Sequence, residues 1–140
     1  MANRIAKHIN GAVLHDLKQA DAPDLSGFDC VIIGGSLYAG MLRKEAKTYI
    51  AQHADELKGK KLGLFLCGME GSQEKEYFAN NVPADVLQTA VKTAFLGGIF
   101  DPKKAGIFER LVIKIIKKKV EYIDIIDDEG IKNFAEALKI

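Results

Sequence analysis

The sequence predicts a three-layer α/β sandwich with a parallel sheet, and two observations lead to that prediction. The runs CVII at residues 30–33 and KLGLFLC at residues 61–67 are almost continuously apolar, which is typical of strands covered on both faces. Strand-like and helix-like segments alternate along the chain, and three of the strands lead into glycine-bearing turns. In an open parallel sheet ligands bind just beyond the carboxyl ends of the strands. We therefore expect one domain over residues 1–140, with any binding site bordered by these turns.

The spacing of apolar residues and chain breakers predicts each element in order. Ala2, Ile5, Ala6 and Ile9 recur at helical spacing, and Asn10-Gly11 is a fitting helix stop. Pro83 is expected to divide one helical region in two. The predicted strands cover residues 12–17, 29–33, 61–67 and 93–96. The predicted helices cover residues 2–9, 41–57, 73–80, 84–90, 107–118 and 128–138, and residues 122–126 fit either a strand or a loop.

Composition and charge exclude several classes of protein. The chain has 140 residues with 20 Lys+Arg against 19 Asp+Glu, and this balance argues against a general nucleic-acid binder. Its longest apolar runs are far below the ~20 residues of a transmembrane helix. The N-terminal residues lack the apolar core of a signal peptide, so a cytoplasmic location is expected.

The candidate catalytic side chains form no known constellation. His8, His15 and His53 are scattered, and the HExxH, CxxC…CxxC and GxxxxGK[ST] patterns are absent. Cys30 opens one predicted strand and Cys67 closes another, which places the thiols roughly 20 Å apart at ~3.3 Å per residue if the strands are parallel neighbours. Two buried thiols are therefore expected, with no disulfide and no metal site. Any chemistry would have to come from a bound cofactor.

Several segments together resemble the flavodoxin family. The strand and turn FDCVIIGGSLYAG, followed by LRKEAKTYIAQHADELKGKKLGLFLCG, is most similar to the branch that contains menaquinone-dependent protoporphyrinogen dehydrogenase. FERLVIKIIKKK resembles the basic and apolar helix of that branch, and YIDIIDDEGIKNFAEAL resembles its closing region. The resemblance implies a flavodoxin-like three-layer sandwich with FMN as cofactor. It implies either a protoporphyrinogen dehydrogenase type of enzyme or an electron carrier.

The resemblance also implies which residues contact the flavin. Tyr38 would stack on the isoalloxazine ring, Met69 would contact its edge, and Glu70 would lower its reduction potential. The alternative is ordinary turn chemistry, with Tyr38 as a surface aromatic and Met69 as packing. The implied cofactor-binding residues are Gly35, Ser36, Leu37, Tyr38, Ala39, Gly40, Cys67, Gly68, Met69, Glu70 and Gly71.

The chain departs from the family pattern at its beginning. Flavodoxin-like proteins start with a central strand and a Ser/Thr-Gly-rich loop around the FMN phosphate, whereas this sequence begins within the segment that resembles the first helix. The expected strand order 2-1-3-4-5 would then lack its first, middle strand. We expect FMN to bind weakly or not at all to the chain as it stands. The open edge of the strand at residues 29–33 would pair with residues 12–17 or with another chain.

Two function classes therefore stay open. The first is an FMN-dependent redox protein that acts on a redox partner or on a quinone or porphyrin-type substrate. Electron-carrier flavodoxins are usually strongly acidic, so the neutral charge favours the dehydrogenase-like branch. The second is a non-catalytic remnant of the fold that binds a partner and no flavin.

Residues 107–118 carry an apolar stripe opposite Arg110, Lys114 and Lys117. This pattern predicts a partly exposed apolar surface and peripheral contact with anionic lipid at the inner face of the membrane. Homo-oligomerisation through an open strand edge also remains open.

Overall fold

A computed structural model of the protein describes residues 1–19, 24–100 and 123–139. The sequence-predicted helix at residues 107–118, with its amphipathic stripe, lies outside the described residues. None of the helices in the described parts of the chain has both the length and the apolar character that crossing a bilayer requires.

The central sheet is built on three parallel strands. They are β1 (Cys30–Tyr38), β3 (Lys61–Cys67) and β4 (Ala90–Phe95), and the short β2 (Met41–Leu42) turns back antiparallel on the end of β1, which gives the order β2-β1-β3-β4. The β1–β3 ladder runs from the pair Cys30↔Lys61 to the pair Ser36↔Cys67. A separate antiparallel pair joins β5 (Ile99–Phe100) to β6 (Ile123–Asp124). The predicted parallel pairing of the two most apolar strands is confirmed.

Six helices in the described residues cover the two faces of this sheet. They are α1 (Ala2–Ala6), α2 (Lys44–Gln52), α3 (Ala54–Lys58), α4 (Glu74–Asn81), α5 (Ala84–Thr89) and α6 (Asp128–Ala137). One core cluster joins alternate residues of β1 and β3 to α2–α5, with Ile50, Leu57 and Val86 fully buried. The other joins the opposite face to α1 and α6 around Phe134. The three-layer α/β sandwich predicted from the sequence is therefore confirmed.

The predicted bounds of β1 and of the helix after it were wrong. The strand was expected to end at residue 33, but it continues through Gly34 and Gly35 to Tyr38, because its residues as far as Ser36 pair with β3 and Leu37 and Tyr38 pair with β2. The helix was expected from Met41, but Met41–Leu42 form β2 and α2 begins at Lys44. The predicted helix over residues 41–57 is also divided, since α2 ends at Gln52 and α3 begins at Ala54.

The predicted strand at residues 12–17 does not form. This segment has no regular secondary structure, and Val13 and Leu14 are 72% and 51% exposed. Among the described residues no strand pairs with this segment: a cavity lies between it and β1, and both line that cavity. A strand gains its stability from a paired edge, so apolar and β-branched composition alone is insufficient.

Candidate functional site

Three loops meet at the carboxyl edge of the parallel sheet. The β1–β2 hairpin, the loop after β3 and the loop after β4 follow neighbouring strands. The amide of Gly68 donates to the carbonyl of Gly97 at 3.1 Å, which joins the second loop to the third. A Cβ atom on Gly68 would lie 3.7 Å from Cβ of Leu37, which places the second loop beside the first. This is the edge at which open parallel sheets bind ligands.

The β1–β2 hairpin turns tightly through Ala39 and Gly40. Both residues have positive φ, 50° and 78°, as expected for a two-residue turn whose twist matches the flanking strands. Glycine adopts this conformation without a steric cost. In alanine the Cβ atom comes too close to the backbone, so the conformation is less favourable. Tyr38 and Met41 form the pair that flanks the turn, and their side chains are 39% and 47% exposed.

Buried Asn81 at the end of α4 holds this hairpin in place. Its side-chain amide donates to the carbonyls of Gly40 at 2.9 Å and Tyr77 at 2.8 Å. Its Oδ1 accepts from the amide of Leu42 at 2.9 Å. One side chain therefore joins α4 to Gly40 in the turn and to Leu42 in β2, the strand that pairs with Leu37 and Tyr38. Sequence reasoning missed this residue, because an asparagine within a polar helix gives no periodic signal.

The loop after β3 packs on Phe95, at the end of β4. A Cβ atom on Gly71 would lie 2.7 Å from Cδ1 of Phe95, so the ring leaves no space for a side chain there. The amide of Phe95 donates to Glu74 at 3.1 Å, and the amide of Ser72 donates to Glu70 at 2.5 Å. Gly71 therefore has a structural reason to be glycine that needs no ligand.

The predicted site residues lie together along this edge. Gly35, Ser36, Leu37 and Tyr38 end β1, Ala39 and Gly40 form the turn, Cys67 ends β3, and Gly68, Met69, Glu70 and Gly71 form the next loop. The pair Ser36↔Cys67 brings the two groups side by side. The sequence prediction did not include the third loop, although the pair Gly97-Gly98 after a strand was a visible signal. Gly97 has φ 72°, and Gly98 lies against Met69.

The two thiols of the chain are free and protonated at neutral pH. The register of β1 with β3 places Cys30 and Cys67 at opposite ends of the ladder, as predicted. Burial raises the pKa of Cys67 to about 11, against the smaller opposite effect of the positive N-terminal amino group. Burial also raises the pKa of Cys30, opposed by Lys61. Neither thiol has the lowered pKa of a reactive nucleophile.

A cavity of about 730 Å³ runs beside β1. Of the predicted site residues it is lined by Gly35, Ser36 and Cys67, and its far wall includes Val13 and Leu14. The other eight predicted residues do not line it. In residues 1–19, 24–100 and 123–139, no group of three His, Cys, Asp or Glu side chains is placed to hold a metal ion.

Comparison with known proteins decides the family. A family model described as "Flavodoxin domain" matches residues 1–124. The chain belongs to the flavodoxin domain family. Members of this family in general bind FMN and take part in redox reactions. No curated protein matches the chain.

The described residues of this flavodoxin-family chain fit an FMN molecule only in part. The hairpin and the loop at residues 68–71 offer an aromatic side chain and backbone amides for a flat ring. The described residues offer few groups that could bind the phosphate. Three described helices, α2, α4 and α6, have eight residues or more, and the loop that leads into each of them carries at most one Ser or Thr hydroxyl. Acidic side chains also stand at the first turns of α4 and α6. Within the described residues, the edge is suited to the ring and lacks a cradle for the phosphate.

Proposed function

We propose that this flavodoxin-family chain is a redox protein whose carboxyl edge takes a flavin ring between the β1–β2 hairpin and the loop at residues 68–71. The observation that supports this function is the meeting of the two loops beside the half-exposed Tyr38, at the edge where parallel sheets bind ligands. A flavin, when bound, supplies one- or two-electron chemistry. The protein contributes the ring's position and its electrostatic surroundings.

The roles proposed for individual side chains follow from their placement. Tyr38 would stack on the ring, because aromatic faces suit flat π systems. Met69 would provide a polarisable contact. Glu70, exposed in the loop, would oppose negative charge on a reduced ring and so lower its reduction potential. The buried Asn81 would act as a positioning residue, since it fixes the hairpin that carries Tyr38.

The finer part of the proposal concerns the reaction. The near-neutral charge of the chain favours an activity of the protoporphyrinogen dehydrogenase type over an acidic electron carrier, with a quinone or porphyrin-type partner. The basic and apolar stripe at residues 107–118 would give weak, salt-sensitive contact with the inner face of the membrane. This contact follows from about 1 kcal/mol for each Lys or Arg near an anionic surface.

Flavin titration tests this function with a matched pair of variants. We expect quenching of flavin fluorescence, with riboflavin and FMN binding within about threefold of each other, because the described residues contact the ring and not the phosphate. Tyr38→Ala should weaken both by about fivefold to tenfold, from the loss of stacking worth about 1 kcal/mol. Phe28→Ala is the control, since Phe28 is 38% exposed against 39% for Tyr38 and lies at the opposite end of β1.

Two results would contradict the proposed site. One is the absence of quenching by either flavin up to about 100 μM, far weaker than ordinary cofactor binding. The other is an equal loss of affinity in the Phe28→Ala and Tyr38→Ala variants. Submicromolar FMN binding with much weaker riboflavin binding would place the phosphate on a cradle beyond the loops considered above.

A second candidate function is a flavin-free interaction domain. The observation that favours it is the poor provision for a phosphate at the described helix N-termini, together with a large cavity beside the sheet. Failure of both flavins to bind would favour this function over the first.

A further inference from the structure

We propose that Phe95, at the end of β4, is a positioning residue of the flavin site. Its ring fixes the shape of the loop at residues 68–71, and α4 joins that ring to the β1–β2 hairpin. The role rests on the proposed function, because the loop and the hairpin are the two sides between which the flavin ring would lie. Phe95 stands outside the set of site residues that the sequence predicted.

The ring of Phe95 occupies the space beside Gly71. A Cβ atom on Gly71 would lie 2.7 Å from Cδ1 and 2.9 Å from Cε1 of that ring, closer than a Cβ atom normally comes to any heavy atom. The described glycines with positive φ are Gly11, Gly40 and Gly97, so the backbone of Gly71 is open to an L-amino acid. The ring, and not the backbone conformation, therefore excludes a side chain at residue 71.

The same ring supports the beginning of the loop. A Cβ atom on Gly68 would lie 3.4 Å from Cζ of Phe95, which is an ordinary van der Waals distance. The amide of Gly68 donates to the carbonyl of Gly97 at 3.1 Å, just beyond Phe95 in the chain. The loop therefore lies on Phe95 at both of its glycines, and its path across the edge of the sheet follows the position of the ring.

Glu74, the first residue of α4, holds the ring and the loop relative to each other. Its backbone amide donates to the carbonyl of Gly71 at 3.2 Å. Its carboxylate accepts from the amide of Phe95 at 3.1 Å, in a part-buried hydrogen bond. Hydrogen bonds to a charged group are stronger than those between neutral groups. One residue therefore joins the strand that carries the ring to the loop that lies on it.

Tyr77 and Asn81 extend this link to the hairpin. They follow Glu74 at helical spacing, which places the three side chains on one face of α4. The rings of Tyr77 and Phe95 have their centroids 6.4 Å apart. A Cβ atom on Gly40 would lie 3.6 Å from Cε1 of Tyr77, and Asn81 donates to the Gly40 carbonyl at 2.9 Å. One helix face therefore sets the spacing between the two sides of the proposed site.

A pair of compensating substitutions tests the role of Phe95. Gly71→Ala should weaken riboflavin binding by about tenfold, because the added methyl group pushes the loop away from the ring. Phe95→Val ends the side chain before Cδ1 and Cε1, the two atoms nearest to that methyl group. In the Phe95→Val background, the same Gly71→Ala change should therefore alter the affinity by less than about twofold.

The conditions of the titration separate positioning from global stability. Flavin fluorescence is followed where circular dichroism shows each variant to be folded, since a loss of stability alone leaves the affinity of the folded molecules unchanged. Gly27→Ala is the matched control for the glycine substitution. A Cβ atom there would meet no described atom within 4 Å, so the affinity should stay within about twofold of that of the unchanged protein.

Glu74 provides a second test by a conservative variant. Glu74→Ala removes the acceptor of the Phe95 amide, whereas Glu74→Gln keeps a side-chain oxygen for it. We expect about fivefold weaker riboflavin binding in Glu74→Ala and a change of less than about twofold in Glu74→Gln. Hydrogen exchange at the Phe95 amide should become faster only in the alanine variant. Glu76→Ala is the control, since Glu76 is exposed in the same turn of α4 and should leave the affinity unchanged.

Three outcomes in a protein that binds riboflavin would overturn the role of Phe95. The first is an equal loss of affinity from Gly71→Ala with and without Phe95→Val. The second is an equal effect of Glu74→Ala and Glu74→Gln, and the third is an equal effect of Glu74→Ala and Glu76→Ala. These outcomes leave the proposed function standing. Absence of riboflavin binding by the unchanged protein is a different result, which would contradict the proposed function and the positioning role together.

Discussion

Ala39 adopts a left-handed backbone conformation that alanine normally avoids. Its φ of 50° places it at the first central position of the β1–β2 turn, and Gly40 with φ 78° follows. The cost of this conformation for an alanine is roughly 1–2 kcal/mol. Because backbone strain of this kind is often kept at binding loops, its position beside Tyr38 agrees with the proposed function.

Substitutions in this turn should have opposite effects on stability. Ala39→Asn should stabilise the protein by about 0.5–1 kcal/mol, since asparagine tolerates this conformation better. Gly40→Ala should destabilise it by about 1–2 kcal/mol, because it places a second Cβ at positive φ. Urea unfolding of both variants measures these changes. A loss of stability in Ala39→Asn would show that the turn relaxes its strain in solution.

The buried Cys67 predicts an unusual pH dependence of alkylation. With a pKa of about 11, its thiolate fraction at pH 8 is about one in a thousand, roughly 100-fold below that of an ordinary thiol of pKa near 9. Iodoacetamide should therefore react about 100-fold more slowly with the folded Cys30→Ala variant than with the same variant in urea. The folded rate should rise about tenfold per pH unit towards pH 11. A folded rate equal to the unfolded rate at pH 8 would contradict the burial of this thiol.

The raised pKa of Cys67 also makes the stability of the protein depend on pH. The unfolded thiol loses its proton near pH 9, whereas the folded thiol keeps its proton until about pH 11. Ionisation therefore favours the unfolded state, and the contribution of Cys67 to stability is lost as the pH rises between these two values.

At the scale of elements, the hairpin depends on α4. The side chain of Asn81 makes three hydrogen bonds: one stays within α4, to Tyr77, and two join α4 to Gly40 and Leu42 of the hairpin. Asn81→Ala should reduce the free energy of unfolding by about 1–3 kcal/mol, because it leaves buried backbone groups without partners. Hydrogen exchange at the Leu42 amide should also become faster, since that amide loses its acceptor.

The neighbouring asparagine is the control for this prediction. Asn80 lies in the same helix but is exposed, so Asn80→Ala should change stability by less than about 0.5 kcal/mol. Equal effects of the two substitutions would show that helix propensity, and not the hydrogen bonds to the hairpin, accounts for the loss.

The accuracy of the sequence predictions varies with the kind of element. The strand Lys61–Cys67 was predicted with its observed bounds, because a continuous apolar run is a local signal of a strand buried on both faces. The division at Pro83 was predicted because proline lacks an amide donor and fixes its own φ; Pro83 stands as the N-cap of α5. The strand predicted at residues 12–17 was wrong, because its apolar pattern carries no information about whether a strand edge pairs with it, and none of the described strands does.

For the candidate site, too, some features were predictable from the sequence and others were not. Its edge was predictable, since glycine turns after consecutive parallel strands must meet at one end of the sheet. The extension of β1 to Tyr38 was not predictable, and neither was the role of Asn81 in holding the hairpin. Both depend on contacts with residues distant in sequence.

At the scale of the whole molecule, the cover of the sheet is unequal. One face carries four helices and the larger core cluster, and the other carries α1 and α6 among the described residues. The large cavity lies at the lateral edge of β1, and residues of both core clusters line it. The proposed flavin site and the large cavity therefore lie at different borders of one sheet, the carboxyl edge and the lateral edge of β1.

The β1–β3 ladder also constrains the order in which the chain folds. Its partners are 31 residues apart at both ends, from 30 to 61 and from 36 to 67. Closing a loop of that length costs roughly 3 kcal/mol before the first pair forms, whereas each later pair adds to a loop already closed. β1 cannot therefore be stable on a nascent chain that stops short of Lys61. We expect the unit from β1 to β3 to form in one cooperative step, slowly compared with a helical bundle.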